Sequence, residues 1–126
     1  MSEFVEVKTS DLTGAALDWA VAKAEGWNPL LMPMARTEFS VGVTAVDADG
    51  NVTGFACRYS TDWGQGGLLI DKYRLGFAIY PEHYFAATGL NDSSGACDGS
   101  THLIAACRAI VVSVLGETVS VPKELV

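Results

Sequence analysis

The sequence predicts an α+β fold: a small antiparallel sheet, made of a central hairpin plus further strands, packed with two main helices. Three observations carry that prediction. Apolar residues recur at helical spacing over 12–22 and again over 103–115, and they alternate at period two on both sides of a turn cluster at 47–51. Gly, Pro, Asn and Asp punctuate the intervals between these segments. The chain has 126 residues, of which 49% are hydrophobic, so a core can form and one domain spanning 1–126 is expected.

The elements follow in order. Phe4-Val5-Glu6-Val7-Lys8 has the β character of a short edge strand. Thr13 can cap a helix that begins at Gly14, and Leu12 and Leu17 flank the cap at the spacing of a hydrophobic staple. Leu12, Ala15, Ala16, Trp19 and Ala22 form the inward stripe of this helix, predicted over 14–25, and Gly26 supplies its left-handed stop. Asp18 and Lys23 are expected to face solvent. Trp27-Asn28-Pro29, with Pro33 after it, predicts irregular chain over 27–36.

Phe39, Val41, Val43 and Ala45 then alternate with Ser40, Gly42 and Thr44, the pattern of a half-buried strand. The Asp47-Ala48-Asp49-Gly50-Asn51 cluster turns the chain, and Val52, Phe55, Cys57 and Tyr59 return it. The spacing slips between Val52 and Phe55, so a bulge is expected at Gly54. Three glycines within 60–67 predict an irregular segment there. Leu68-Leu69-Ile70 goes back to the core, residues 73–80 form a third long strand, and Pro81 stops it. Turn chemistry over 82–100 predicts a long loop. Ser100 is expected to cap a second helix with Gly116 as its stop, and Val119-Ser120-Val121 forms a last strand before Pro122.

The second helix is unusual in being apolar almost all round. Leu103, Cys107, Ile110 and Val114 occupy one face, while Ile104, Val111 and Leu115 make another row. Such a helix must be covered on more than one side. One cover is the sheet, and the other is expected to be a partner subunit, which makes the chain a homo-oligomer. Arg108 interrupts the apolar surface. It either pairs with Asp62 or Asp18, snorkels to water, or forms the cationic end of a ligand site.

Charge and cysteine content exclude several classes. Eight Lys and Arg stand against fifteen Asp and Glu, a formal net charge of −7. Coating phosphates needs clustered cations, so direct nucleic-acid binding is not expected, and neither is docking on an anionic membrane. Cys57, Cys97 and Cys107 are odd in number and lack CxxC spacing, which argues for free thiols in a reducing cytoplasm. The start of the chain lacks the basic and apolar runs of a signal peptide. The apolar run at 103–115 contains Arg108 and falls short of the roughly 20 residues needed to span a bilayer.

The segment Asp62-Trp63-Gly64-Gln65-Gly66-Gly67 is the strongest candidate for function. It offers an aromatic ring, a carboxylate, an amide and a backbone that a ligand can approach closely. Its glycine spacing is neither a dinucleotide fingerprint nor a Walker loop. The bland alternative is a structural turn with Trp63 in the core. Arg58, Asp62, Trp63, Gln65, Gly66, Gly67, Asn91 and Arg108 together would suit a small polar or nucleotide-like ligand. Tyr73, Phe77, Tyr80, Tyr84 and Phe85 add an aromatic stretch that is sheet core or the wall of a pocket. His83 and His102 have no metal-ligand spacing, and Cys107 lies on an apolar helical face. No catalytic residue, metal or cofactor is assigned.

Three stretches carry a family resemblance. Residues 12–22, LTGAALDWAVA, resemble the opening of the phage NinX-like family of small uncharacterised proteins. Residues 59–67, YSTDWGQGG, resemble its central motif. Residues 103–109, LIAACRA, and the Val-Pro-x-Glu-Leu ending resemble its C-terminal part. The chain departs from the pattern at Leu68, where a proline is expected after the glycines, and matches least over 73–100. The resemblance implies an accessory protein of tailed bacteriophages or prophages, made in the host bacterial cytoplasm. It implies no reaction, but it marks the Asp62–Gly67 segment and Arg108 as family features.

Three functional classes follow. The leading one is a non-enzymatic binder of a small polar or nucleotide-like ligand, with a sequestration role in host takeover or counter-defence. The alternative is an acidic protein–protein interaction module acting on a host or phage protein. An enzyme would require Asp62 and a histidine to converge in one cleft.

Overall fold

The computed structural model describes residues 4–27, 29–33, 41–46, 52–79, 84–88 and 97–125. The elements run β1 (Phe4–Lys8), a 3-10 turn (Thr9–Asp11), α1 (Gly14–Ala24), β2 (Leu30–Pro33), β3 (Val41–Val46) and β4 (Val52–Ala56). There follow α2 (Trp63–Lys72), β5 (Leu75–Ile79), β6 (Tyr84–Thr88), β7 (Cys97–Gly99), α3 (His102–Leu115) and β8 (Thr118–Pro122), with a closing 3-10 turn at Lys123–Leu125. The strands form three antiparallel sheets, ordered β1-β8, β2-β3-β4 and β5-β6-β7. The α+β class therefore holds.

α1 forms where the stripe predicts it. Leu12 and Leu17, the two members of the staple, are fully buried, and Gly26 takes φ +87, the left-handed geometry that ends the helix. Thr13 is the N-cap residue by backbone, but its side chain makes no capping bond. Asp18 departs from expectation: it is 6% exposed, facing inward among Leu17, Val21 and the other buried residues of the helix. Its place three residues after Ala15 and four before Ala22 puts it on the inward stripe itself. Lys23 is exposed as expected.

The hairpin of β3 and β4 is present, with its register shifting between Thr44 and Val46, so that Val52–Ala56 faces a shorter span of its partner. Gly54 lies in that excess, which is the bulge. The turn cluster at 47–51, and Phe39 and Ser40, lie outside the described residues. Residues 27–36 are not wholly irregular, because Leu30–Pro33 pairs with β3 as an edge strand. An edge tolerates Pro33, whose missing N–H removes no bond that the sheet needs.

The largest correction concerns the glycine-rich stretch. Trp63–Lys72 is helical, glycines included, because Asp62 caps it: Asp62 Oδ1 accepts from Gly64 N at 2.8 Å. The strand expected over 73–80 is correspondingly shorter. Tyr73 ends α2, and Arg74, at φ 54, turns the chain into β5. Residues 82–100 are not one loop, since they contain β6 and β7, paired Tyr84↔Gly99 and Ala86↔Cys97. The cap of α3 is Thr101 rather than Ser100; its side chain accepts from Ile104 N at 3.1 Å. Tyr80, Pro81 and His83 lie outside the described residues.

α3 runs through the middle. One side meets β6 and β7, where Cys97, Ala105 and Ala109 are buried together. The other meets α1, where Cys107, Ile110 and Val111 join Leu12, Leu17, Val21, Val119 and Val121 in the main core. Two covers of this apolar helix thus come from the chain itself, while Val114 and Leu115 in its last turn stay 47% and 39% exposed.

Candidate functional site

The site begins with a turn. Asp62 N donates to Arg58 O at 2.8 Å and Thr61 N to the same oxygen at 3.1 Å, which folds residues 58–62 into a tight approach to α2. Gln65 reaches back from the helix, and its Oε1 accepts from Arg58 N at 2.7 Å. Below this turn, Ser60 donates from both N and Oγ to Asp18 Oδ1 at 2.8 Å each, entirely buried. Burial pushes the Asp18 carboxyl above the ordinary carboxylate range, and the Ser60 donors and the Arg58 charge only partly offset it.

Gly66 shows why a glycine is needed at one point of α2. A Cβ there would collide with Tyr59 O and stand 2.8 Å from Leu103 Cδ2, so the helix can seat against α3 only without a side chain at this position. Gly64 and Gly67 differ. A Cβ on Gly67 would meet only Trp63 Cε3, at an ordinary 3.7 Å, and one on Gly64 would meet only the Asp62 carboxylate.

Six of the eight candidate residues, Arg58, Asp62, Trp63, Gln65, Gly66 and Gly67, gather at the start of α2. Their roles are not those of an open loop. The N–H groups of Gly64, Gln65 and Gly66 are all taken by Asp62, through Oδ1 or its carbonyl. Trp63 is not packed into the core: it is 59% exposed, lies along the helix over Gly67 and sets its ring 6.1 Å from that of His102. His102 in turn meets Phe77 edge-on at 5.3 Å. Leu68, nearly a turn and a half further along α2, is 73% exposed.

Arg108 takes neither Asp18 nor Asp62. Its Nε donates to Leu12 O at 3.0 Å and its Nη1 to Asp98 O at 2.8 Å, clipping the chain before α1 to β7. Asn91 lies outside the described residues. Sequence reasoning missed the exposure of Leu68 and the ring contacts that link Trp63 to His102 and His102 to Phe77. A helical reading of 63–72 would have placed Leu68 outward, because Leu69 is the residue that α2 buries.

Burial raises the Cys57 thiol to about 11 and pushes Cys97 and Cys107 up as well, so none is a thiolate at neutral pH. Asp62 is occupied as a cap. Among the described residues no three His, Cys, Asp or Glu side chains converge as metal ligands, and no helix is long and apolar enough to cross a membrane. An open cavity of about 440 Å³ lies beside α2, lined by Gly67, Ile70, Asp71, Arg74 and Leu75.

Against known families, the model described as Bacteriophage P22, NinX matches residues 8–114. That span runs from the end of β1 nearly to the end of α3 and contains every residue of the α2 surface. No curated protein matches the chain.

Proposed function

Since the chain belongs to the bacteriophage P22 NinX family, it is a phage protein, and we propose that it acts without catalysis, by docking a host or phage protein on the outer face of α2. The observation that carries this reading is the pairing of Trp63 and Leu68, 59% and 73% exposed, on a helix whose other side is buried through Gly66 and Leu69. Large apolar side chains held outward on a helix are the anchors that protein interfaces use, and Trp63 and Leu68, about 140° apart around the axis, flank the outer surface of α2. Gly67 supports the same reading. It costs a helix about 1 kcal/mol relative to alanine and is not forced by contacts within the chain, whereas a Cβ on Gly64 would stand 3.0 Å from the capping Oδ1 of Asp62. A bare backbone between two apolar anchors lets another chain come close.

A small polar or nucleotide-like ligand is the second reading, supported by the exposed Trp63 and by the exposed Arg58 in the turn that leads into α2. It loses the backbone donors that an open loop would have offered. The free thiols fit a working place in the host cytoplasm, where reduced cysteines persist.

A photo-crosslinking residue in place of Leu68, used in lysate of infected host cells, is expected to give one discrete protein adduct. The same residue in place of the exposed Ser120 is expected to give none, and Trp63→Ala should remove the Leu68 adduct. An adduct between two copies of the chain would make the partner a homo-oligomer contact. Thermal stabilisation by a nucleotide, lost in both Trp63→Ala and Arg58→Ala, would transfer the function to ligand capture.

A further inference from the structure

A second cavity lies away from α2. It has a volume of about 320 Å³ and is walled by the Thr9 turn, β7, the last turns of α3 and the start of β8. Its frame is fixed by the chain's own bonds. Thr9, fully buried, donates from Oγ1 to Gly116 O and from N to Glu117 O, each at 2.8 Å. The cavity therefore exists before any ligand arrives.

Its lining sorts into three kinds of surface. Cys97 and Val112 supply an apolar wall, and Ser10 and Thr118 supply exposed hydroxyls. Lys8 and Glu117, both exposed lining residues, place one charge of each sign at the rim. Glu117 stands close enough to act on the Cys97 thiol, as do Asp98 and the anchored guanidinium of Arg108. Neither Lys8 nor Glu117 is in an ion pair among the described residues, where Lys72 with Glu25 forms one.

We propose that this cavity binds a small zwitterion of the amino-acid class, with its ammonium at Glu117, its carboxylate at Lys8 and its side chain against Cys97 and Val112. The volume falls at the lower end of ligand pockets, about 300–1,000 Å³, which suits a molecule of that size. Balanced rim charges favour a ligand that carries both signs over a simple anion or cation. The site shares no residue with the α2 face, so either can fail without the other.

Cys97 gives the test a built-in reporter. The intact chain is treated with a small alkylating reagent, and labelling of Cys57, Cys97 and Cys107 is followed by peptide mass spectrometry. Probes are the common free amino acids other than cysteine, at millimolar concentration, with their N-acetyl and C-amide forms. At least one free amino acid is expected to slow Cys97 several-fold without slowing Cys57 or Cys107. Blocking either end should abolish the protection. Glu117→Gln should remove discrimination against the N-acetyl form, and Lys8→Met discrimination against the amide. Both positions are exposed, so both variants are expected to fold. The proposal is overturned if no free amino acid protects Cys97, if blocked forms protect equally, or if all three thiols are slowed together.

Discussion

α3 and α2 are neighbours built on opposite plans. α3 contains no glycine and is enclosed on two sides by its own chain, with Ala105, Ala109 and Ile110 fully buried. α2 carries three glycines, buries little beyond Gly66 and Leu69, and leaves Trp63 and Leu68 outside. Most apolar residues of α3 are explained by the fold, with Val114 and Leu115 of its last turn left 47% and 39% exposed. Trp63 and Leu68 of α2 stand further out, at 59% and 73%, and that asymmetry separates a mainly structural helix from a presented one.

The comparison can be broken most directly by truncation. Ile110→Ala removes a fully buried side chain and is expected to cost about 2–5 kcal/mol in urea unfolding. Leu68→Ala should change stability by less than about 0.5 kcal/mol, since an exposed side chain has little packing to lose. Equal losses in the two variants would mean that the outer face of α2 is covered within the monomer.

The glycines sharpen the contrast within α2 itself. Gly66→Ala drives a methyl into Tyr59 O and Leu103, and is expected to cost about 1–3 kcal/mol as α2 is pushed off α3. Gly67→Ala meets only the ring of Trp63 at contact distance, so the gain in helix propensity should dominate, stabilising by up to about 1 kcal/mol. Thermal unfolding of the two variants reads both signs. If Gly67→Ala stabilises the chain yet weakens the Leu68 crosslink, the glycine is kept for the partner and not for the fold.

How much of this was legible beforehand follows the same divide. α1, α3, the central hairpin and the two paired end strands, β1 and β8, were readable because their apolar periodicity and stop signals agree with one another. α2 was not, because three glycines lower helix propensity and only a tertiary contact, Gly66 against Tyr59 and Leu103, reveals why one of them is there. β6 and β7 were hidden in turn-forming sequence, since β7 is only Cys97–Gly99 and takes its identity from pairing with β6. At the site, adjacency in sequence puts Arg58, Asp62, Trp63, Gln65, Gly66 and Gly67 at the start of α2. Arg108 could not be placed, because its partners are carbonyl oxygens of Leu12 and Asp98, and a backbone acceptor leaves no mark in a sequence. Asp18 was misplaced because its acid identity outweighed its position on the inward stripe.

Asp18 also provides the smallest and most specific test, because it joins the core helix to the turn that leads into α2. Its folded carboxyl titrates above its unfolded counterpart, burial being the main cause. The folded state then holds a proton more tightly than the unfolded state between the two values. The sign of the linkage follows: this group favours folding on the acid side and loses that contribution as pH rises through its folded value. Asp18→Asn keeps an oxygen that can accept from Ser60 N and Oγ while removing the charge, so its cost at neutral pH should stay below about 1 kcal/mol. The falling stability from acid toward neutral pH that Asp18 adds to the natural protein should vanish in this variant, read as the difference between their urea midpoints across a pH series. Asp18→Ala, which leaves the Ser60 N–H buried without its acceptor, should cost about 1–3 kcal/mol and loosen the turn that aims Trp63. If the Asn variant retains the full pH slope, another group sets it, and the tie between the core and the presented helix is mechanical and not ionisable.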